Sequence, residues 1–290
     1  MNSVFDETSL PNAQLAEAWS AIKIPQSIRD RLLAQSLLAL TLRQKFTFEQ
    51  MPIHGLLMLA GPPGTGKTTL ARGLAHQIAT TLKDTRSRLI EVDPHVLASA
   101  SLGGSQKAVT KLFQQTIPEY TLQGPCIVLL DEVETLAPSR ERMSLEANPI
   151  DAHRATDAVL AGVDFLTRKH RNVLLFATTN FPQAVDVALL SRADWVENLG
   201  LPSPEARTEI IRDVLEQLAT QWPRIAELTR HLGSFVAASE GLDGRRLRKA
   251  VVAAAAHSIE TARDLNKLKA DDVLVTLKAF AAPRKKEIAA

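Results

Sequence analysis

The sequence is constrained most by a glycine-rich stretch between an apolar run and a helix-like segment. It consists of Gly61, Pro62, Pro63, Gly64, Thr65, Gly66, Lys67, Thr68 and Thr69. The run 56–60 before it favours a buried strand, and residues 70–75 after it favour a helix. Glycines let such a loop turn its N–H groups toward phosphate oxygens, which the helix N-terminus also attracts. The pattern predicts a nucleotide-binding loop, with Lys67 on the β and γ phosphates and Thr68 on Mg²⁺. An ordinary glycine-rich turn is the alternative.

Composition narrows the class of protein. The chain has 290 residues, 45% hydrophobic and 23% charged, so it can bury a sizeable core. Its net charge is +2, with 34 basic and 32 acidic residues, so no global field favours nucleic acid. The single cysteine, Cys126, excludes an internal disulfide and is expected to be a buried thiol. We expect a cytoplasmic protein, since no membrane-spanning run or signal peptide is visible.

The order of apolar runs predicts an α/β fold. Strand-like runs cover residues 56–60, 89–93, 126–131, 173–178 and, more weakly, 195–199. Helical stretches separate them, which indicates a parallel sheet covered on both faces. After residue 202 the chain has helical periodicity only, in the runs 204–222, 224–239, 244–263 and 270–281. Ser203 and Pro204 are expected to be the cap and first position of the opening helix.

These patterns divide the chain into three parts. Residues 1–50 are expected to be an N-terminal tail and helices that lead into the core, with a loose tail over 1–12. Residues 51–202 form the predicted large α/β nucleotide-binding domain, and 203–290 the predicted small all-helical domain.

An acidic pair ends the third strand-like run. Asp131 and Glu132 come at the carboxyl end of a predicted parallel strand, where such sheets bind ligands. Asp131 can hold the hydrated Mg²⁺ ion, and Glu132 can polarise the attacking water. Helix capping is the alternative for this pair. Glu134 is expected to point to the other side of the segment and is assigned no role.

Four further residues are candidates because of their positions. Asn180 ends the next strand, where its side chain can lie beside the nucleotide and position the water. Arg192 precedes the last strand and Arg245 opens a lid helix, so either could stabilise charge on the γ phosphate, or be a solvated arginine. Ile24 lies in an apolar hinge that could contact adenine or pack in the core.

The complete set of motifs resembles the AAA+ ATPases. The family order of Walker A, Walker B, sensor 1, arginine finger, helical lid and sensor 2 is matched by Lys67, Asp131–Glu132, Asn180, Arg192, 203–290 and Arg245. The resemblance implies the AAA+ P-loop NTPase fold, in which helices flank a parallel sheet and a small all-helical lid follows. It also implies ATP and Mg²⁺ as cofactors. Arg192 would then act on ATP of the neighbouring subunit in a ring, and Arg245 in cis from the lid.

Shorter signatures resemble the pachytene-checkpoint, or thyroid-receptor-interactor, family within this group. They are Ser191–Asp194, Gly200–Ser203 and Ser239–Arg245. This family remodels HORMA-domain proteins, so the resemblance implies a homohexamer that opens a HORMA protein. In the bacterial branch the HORMA protein activates a cyclic-oligonucleotide synthase in anti-phage signalling, and disassembly of that complex is the expected activity. The short segment before the first predicted strand is similar to this branch, and neither nucleic acid nor a membrane is an expected partner.

One stretch corresponds to the first pore loop of that family, and a second stretch has two interpretations. The first includes Ser101, Leu102 and Gly103, where family members usually carry an aromatic residue and Leu102 is here the only large apolar side chain. Grip on a threaded peptide would therefore depend on Leu102 and on backbone contacts. Residues 139–153, with Arg140, Arg142 and His153, are either a second pore loop or a charged surface loop.

Two other classes of AAA+ protein compete with the remodeler. A clamp loader or helicase loader also carries Ser-Arg before the last strand, but the near-neutral charge and the absence of a basic helix weigh against it. DNA-stimulated hydrolysis would favour that class. The third class is a protease subunit, and this sequence contains no His-Glu-x-x-His zinc-protease motif.

Overall fold

The computed structural model describes residues 4–83, 86–94, 97, 104–140 and 149–282. The described residues within 1–61 and 67–199 form one compact unit, and those within 62–66 and 200–290 form a second. The domain boundary expected at residue 202 stays a prediction.

A mixed sheet forms the centre of the first unit. Among the described residues it has six strands: β1 (Val4–Ser9), β2 (Leu56–Ala60), β3 (Arg88–Val92), β4 (Cys126–Leu130), β5 (Val173–Thr179) and β6 (Trp195–Asn198). Their order is β1-β3-β4-β5-β2-β6. β1 is antiparallel to β3, and every other neighbouring pair is parallel. The predicted α/β architecture with a largely parallel sheet is therefore confirmed.

The register of the central strands brings their carboxyl ends to one edge of the sheet. Ala60, the last residue of β2, pairs with Thr179 of β5. Leu130, the last residue of β4, pairs with Ala177 of the same strand. The segments that follow β2, β4 and β5 therefore leave the sheet at neighbouring positions.

Helices cover both faces of this sheet. They are α1 (Ala13–Ala21), α2 (Gln26–Lys45), α3 (Lys67–Leu82), α4 (Gly104–Lys111), α5 (Ile117–Thr121), α6 (Pro149–Lys169) and α7 (Val187–Leu190). Leu56 and Met58 of β2 belong to the apolar cluster that includes Val163 of α6. Leu57 and Leu59 belong to the opposite cluster, which includes Leu70 of α3. This alternation follows from the two-residue period of a strand, and burial on both faces explains why the run is continuously apolar.

The prediction of a loose tail over residues 1–12 is wrong for β1. Residues Val4–Ser9 pair with β3 along the sheet edge, with Glu7 opposite Ile90. Val4 is buried in the core, whereas Phe5 is 71% exposed. The strand contains several polar residues because most of its side chains face solvent, and that pattern resembles a tail in the sequence.

The second unit is helical. Its helices are α8 (Pro204–Ala219), α9 (Leu232–Ala238), α10 (Gly244–Ala253), α11 (Ile259–Arg263) and α12 (Ala270–Ala281). They enclose a core that includes Ile211, Phe235 and Leu247. Ser203 caps α8 by accepting the Ala206 N–H at 3.2 Å, and Pro204 is the first helical residue, which confirms that prediction.

Two runs predicted as continuous helices are interrupted. A 3₁₀ segment covers Pro223–His231 before α9, and another covers Ala254–His257 after α10. Ser258 then starts α11 as the first member of a capping box with Thr261. A side chain that satisfies the first N–H groups of a new helix favours a helix start at that point over continuation.

The properties expected from composition can be compared with the described residues. Cys126 is buried in β4, as expected, and burial raises the pKa of its thiol to about 12. Within the described ranges, no helix is both long enough and apolar enough to cross a membrane.

Candidate active site

The loop between β2 and α3 has the backbone conformation that its glycines permit. The φ angles of Gly61, Gly64 and Gly66 are 144°, 84° and 91°, in the region that side chains disfavour. A Cβ atom at Gly61 would also lie 2.1 Å from the carbonyl oxygen of Leu199. Glycine at position 61 is therefore required by both conformation and space.

Lys67 begins α3 and is only 6% exposed. Its Nζ donates to the carbonyl oxygen of Gly61 at 2.8 Å and to Oδ1 of Asn180 at 2.8 Å. The ammonium group is thus held by oxygen atoms at the end of β2 and β5. Phosphate oxygens are suitable ligands for a cation in this position.

Thr68 and Asp131 bring a hydroxyl and a carboxylate together. The Thr68 hydroxyl donates to Oδ1 of Asp131 at 2.8 Å, and the hydroxyl of Thr178 donates to the same oxygen. Mg²⁺ prefers oxygen ligands and is bound in nucleotide sites by such a pair. The donor set therefore fits the predicted ion, which Thr68 and Asp131 would hold.

Glu132 has an unusual backbone conformation for a residue other than glycine. Its φ angle is 48° and its ψ angle 54°, in the left-handed region. The conformation is held by its N–H, which donates to Oγ1 of Thr178 at 3.1 Å. Oε1 of Glu132 accepts from Nδ2 of Asn180 at 3.1 Å. Left-handed conformations of this kind cost energy and are concentrated at functional sites.

Asn180 therefore connects the predicted phosphate-binding and water-activating residues. Its Oδ1 accepts from Lys67 while its Nδ2 donates to Glu132. The structure brings Lys67, Thr68, Asp131, Glu132 and Asn180 together, as the sequence predicts for residues after adjacent parallel strands. Such a group can bind phosphates, hold a divalent cation and orient a water molecule.

Glu134 is a site residue that the sequence interpretation missed. It was expected to point away, but its Oε1 accepts the backbone N–H of Asn180 at 3.0 Å. Its Oε2 is buried and has no hydrogen-bond partner among the described residues. The left-handed turn at Glu132, followed by the 3₁₀ segment Val133–Thr135, redirects the chain and brings Glu134 to Asn180. The regular alternation assumed from the sequence does not apply after that turn.

Arg192 forms a well-defined ion pair in the first unit. Its Nε and Nη2 donate to the two carboxylate oxygens of Asp164 on α6, at 2.8 and 2.9 Å. Its Nη1 donates to the carbonyl oxygen of Ala188 at 2.7 Å. Arg192 lowers the pKa of the Asp164 carboxyl by this hydrogen bonding. Nothing in the sequence pattern pointed to Asp164 as its partner.

Arg192 lies far from Lys67 of the same chain, because the two residues are at opposite ends of β2. Two residues later, Asp194 accepts the backbone N–H groups of His54, Gly55 and Leu56 at 3.0, 2.6 and 3.1 Å. Arg192 therefore lies near the start of β2, whereas Lys67 follows its end. The strand covers about 13 Å between Leu56 and Ala60 at ~3.3 Å per residue. The two cations therefore lie at opposite ends of the strands, with Arg192 near the amino end of β2 and Lys67 beyond its carboxyl end.

Arg245 is the second residue of α10 in the second unit. Asp243 caps this helix by accepting the N–H of Arg246 at 2.8 Å. The backbone N–H of Arg245 donates to the carbonyl oxygen of Gly64 at 3.3 Å, within the same unit. The role of its guanidinium stays a prediction.

Ile24 is partly buried against the apolar cluster of α2 and α3. This packing is the core alternative considered for the hinge, and contact with adenine stays a prediction. The first pore-loop residues, Ser101, Leu102 and Gly103, lie outside the described residues.

The second predicted loop, 139–153, is described only at its ends. Residues 141–148 lie outside the described ranges, and residues 149–153 belong to α6. Arg140 donates to Asp186 from Nε at 3.1 Å and to Asp157 from Nη2 at 3.0 Å. Asp186 is 3% exposed and caps α7, the short helix that precedes Arg192. Arg140 is thus held by two carboxylates, one on α6 and one at the start of α7.

Known proteins are similar to this chain over most of its length. Residues 57–201 match the family described as "ATPase family associated with various cellular activities (AAA)". CD-NTase-associated protein 6 of Pseudomonas aeruginosa is 48% identical over 261 residues, which are 89% of this chain and 86% of that protein.

A second relative is the putative pachytene checkpoint protein 2 of Caenorhabditis elegans. It is 34% identical over 215 residues, which are 72% of this chain and 50% of that protein. This chain therefore matches only half the length of that relative.

A solved structure has a similar fold. It is the "Structure of E. coli MS115-1 HORMA:CdnC:Trip13 complex", with a TM-score of 0.76, 19% identity and coverage of 95% of both chains. At this identity the likeness concerns the fold alone.

Proposed function

Because the chain belongs to the AAA family of ATPases, and within it to the group of CD-NTase-associated protein 6 and the pachytene checkpoint proteins, we propose that it uses ATP hydrolysis to remodel a HORMA-domain protein. The proposed result is release of that protein from a cyclic-oligonucleotide synthase in anti-phage signalling. The observation that carries the proposal is 48% identity, over 86% of its length, to a protein whose name associates it with a CD-NTase. The signatures at Ser191–Asp194 and Ser239–Arg245 support the same assignment.

The residues at the carboxyl ends of β2, β4 and β5 fit ATP and Mg²⁺. Backbone N–H groups of residues 61–66 and the Lys67 ammonium would bind the phosphates, and Thr68 with Asp131 would hold the ion. When bound, Mg²⁺ would neutralise part of the phosphate charge. When ATP binds, the Lys67 ammonium would give up a hydrogen bond to one of its protein oxygen acceptors and donate to a phosphate oxygen instead.

Glu132 and Asn180 would then act on the attacking water. The Glu132 carboxylate accepts a hydrogen bond from that water and polarises it, while the Asn180 amide fixes the carboxylate position through Nδ2. Without nucleotide the same amide also accepts from Lys67. A change of partner at Lys67 on phosphate binding would leave Asn180 free to orient the water.

Arg192 is proposed to act in trans, within a homohexamer. Since it lies at the sheet edge opposite Lys67, it cannot reach phosphates held by the same chain's loop. A neighbouring subunit can bring its own nucleotide to that edge. Arg192 would then exchange Asp164 for phosphate oxygens, a second partner of matching geometry for its planar guanidinium. Arg245 is proposed to contribute a second cation from the same chain.

The partner proposal is tested by disassembly. A HORMA–synthase complex is incubated with the enzyme and ATP, and the products are separated by size; release of free synthase is expected. Glu132→Gln, which should retain ATP, is the matched control and should leave the complex intact. An intact complex in the presence of rapid ATP consumption by the wild type would contradict the HORMA assignment while leaving the ATPase assignment in place.

The pore prediction is tested in the same assay. Leu102→Asp replaces the one large apolar side chain of the first loop, so we expect ATPase activity within about twofold of wild type and loss of complex disassembly. Ser101→Asp is the neighbouring charge control. Equal disassembly by Leu102→Asp and wild type would exclude Leu102 as the gripping residue.

A further inference from the structure

A basic cavity lies in the first unit at the carboxyl end of α6. It has a volume of about 310 Å³ and is bounded by the segment that follows α2 and by the last residues of α6. The arginine of α2 at its base is Arg43, and the cations from the other side are Arg168, Lys169 and Arg171. The only acidic lining residue is Glu49, so four cationic side chains face one carboxylate. This excess of positive charge favours an anion.

Arg43 is a buried charge that the protein has not fully satisfied. It is 5% exposed, and its Nη2 donates to the carbonyl oxygens of Leu166, Thr167 and His170 at 3.3, 3.4 and 3.1 Å. Its Nη1 donates to the carbonyl oxygen of Val173. Its Nε has no hydrogen-bond partner among the described residues. An unpaired donor on a buried cation is costly, and Arg43 lines the adjoining cavity, so an anion there would stabilise its buried charge without contacting Nε itself.

The backbone leaves space for this arginine. Gly55 has a φ angle of 75°, and a Cβ atom there would lie 2.1 Å from Nη1 of Arg43. The carbonyl groups at the end of α6 lack partners within the helix, and Arg43 donates hydrogen bonds to them. The negative end of the helix is thereby neutralised, so it does not repel an anion from the cavity.

The segment that follows α2 provides aromatic surface to the cavity through Phe46 and Phe48. The Arg168 guanidinium lies 4.6 Å from the centre of the Phe48 ring, and Phe46 is 39% exposed at the same cavity. Arg168 also pairs with Glu49, but both side chains are at least half exposed. Exposed pairs contribute little free energy, so a ligand anion can replace Glu49 at low cost.

We propose that this cavity binds a small phosphorylated ligand with an aromatic ring, such as a nucleoside monophosphate. Apart from Arg43, whose charge offsets the end of α6, the lining has three cations and one carboxylate, and this excess of two positive charges suits a phosphate, which carries about −1.5 to −2 at neutral pH. Arginine forks match phosphate geometry, and phenylalanine rings stack on bases. The volume is at the lower end of small-molecule sites, about 300–1,000 Å³, which favours a ligand of mononucleotide size.

This site is distinct from the predicted ATP site. Arg43 contacts Val173 at the start of β5, whereas Asn180 follows its end, and the strand covers about 20 Å at ~3.3 Å per residue. It is instead connected to Arg192. The Phe48 ring meets the edge of the His54 ring with centroids 4.9 Å apart, and Nε2 of His54 lies 3.7 Å from Oδ1 of Asp164, the partner of Arg192. Ligand binding should therefore alter ATP turnover in the ring. That consequence rests on the proposed role of Arg192, whereas binding itself does not.

Binding is tested with the ATP site silenced. AMP, GMP, CMP and UMP are titrated by calorimetry into Lys67→Ala, and into wild type saturated with a non-hydrolysable ATP analogue in case that variant is unstable. We expect one saturable site per chain for at least one of these nucleotides. Arg168→Ala/Arg171→Ala should weaken it by about tenfold or more, because two charge-assisted contacts are lost. Arg212→Ala/Arg230→Ala, with the same charge change on exposed residues of the second unit, should bind as the parent does.

The outcomes separate the possible ligands. Weak binding of the matching nucleoside supports the phosphate contact, and weak binding of inorganic phosphate supports the aromatic contact. No saturable mononucleotide binding, or equal binding to both double variants, overturns the proposal. Binding of an acidic peptide in place of any mononucleotide also overturns it, since the cavity would then be a protein-docking site. If AMP binds but does not change ATP turnover, the site stands and its link to Arg192 is refuted.

Discussion

At the residue scale, Asn180 is held from two sides. Its side chain joins Lys67 to Glu132, and its backbone N–H is bound by Glu134. A carboxylate that fixes the backbone of a water-positioning residue acts on the reaction without contacting the substrate. Under the proposed role of Asn180, Glu134 would be a positioning residue, and removing it should affect turnover more than ATP binding.

We predict that Glu134→Ala lowers kcat about tenfold or more while the ATP dissociation constant stays within about threefold, because a small displacement of Asn180 misplaces the water. Glu134→Gln retains an acceptor oxygen and should recover most of the activity. Nucleotide binding and steady-state turnover are measured for both variants, with the exposed Glu216→Ala as control. Parallel losses of binding and turnover in Glu134→Ala would show a general structural defect.

Lys67 and Glu132 should have separable effects. Lys67→Ala removes the main cation of the loop and should abolish detectable ATP binding. Glu132→Gln preserves the phosphate and Mg²⁺ ligands but removes the base, so ATP should bind normally while turnover falls by about 100-fold or more. ATP affinity and hydrolysis are compared in the two variants. Normal turnover in Glu132→Gln would exclude it as the residue that polarises water.

At the element scale, α7 is held by the charge network that begins at Arg140. Asp186 caps α7 through the Ala188 N–H at 2.8 Å and also accepts from Arg140. It is buried, whereas Asp157, the other partner of Arg140, is 63% exposed at its side chain. The two carboxylates should therefore differ in their contribution to stability.

We predict that Asp186→Ala lowers the free energy of unfolding by about 2 kcal/mol, through loss of a helix cap and of a buried acceptor. Asp186→Asn keeps an oxygen for the cap and should cost less. Asp157→Ala removes only an exposed partner and should have a small effect. Urea unfolding of the three variants provides the comparison. Equal losses for Asp157→Ala and Asp186→Ala would mean that the ion pairs, and not the cap, stabilise α7.

Elements with both faces buried could be predicted from the sequence, and others could not. Residues 126–130 are continuously apolar because β4 is covered by two clusters, so its type and its bounds, to within one residue, were readily predicted. β1 lacks that signal because four of its six residues are fully or largely exposed. The site residues that follow parallel strands were predicted for the same topological reason. Glu134 was missed because the turn at Glu132 depends on a tertiary hydrogen bond from its N–H to Thr178.

At the scale of the whole molecule, the location of Arg192 requires a second subunit for its proposed role. Arg192→Ala subunits should bind ATP within about threefold of wild type, since their own phosphate ligands are intact. Hydrolysis should fall by about 100-fold or more. Mixing them with Glu132→Gln subunits should restore part of the activity, because some interfaces then combine an intact Glu132 with an intact Arg192.

The mixed-subunit experiment has a direct control. Mixed assemblies are verified by differential tagging, and ATP turnover is compared with that of each variant alone. Mixing Arg192→Ala with subunits that carry both substitutions should give no rescue, because intact Arg192 is then absent from every interface. Absence of rescue in verified mixtures of the single variants would argue that Arg192 acts in its own subunit or only stabilises the fold.

The alternating packing of β2 restricts how the chain length can change near the site. Leu56 and Met58 face one core and Leu57 and Leu59 the other, while the two ends of the strand are tied to Asp194 and to the nucleotide loop. Deleting one residue would exchange the two faces and shift the loop by about 3.3 Å relative to Asp131. Insertions and deletions in natural variants or engineered chimeras should therefore be confined to segments outside β2, and recombination points should be placed before residue 54 or after α3.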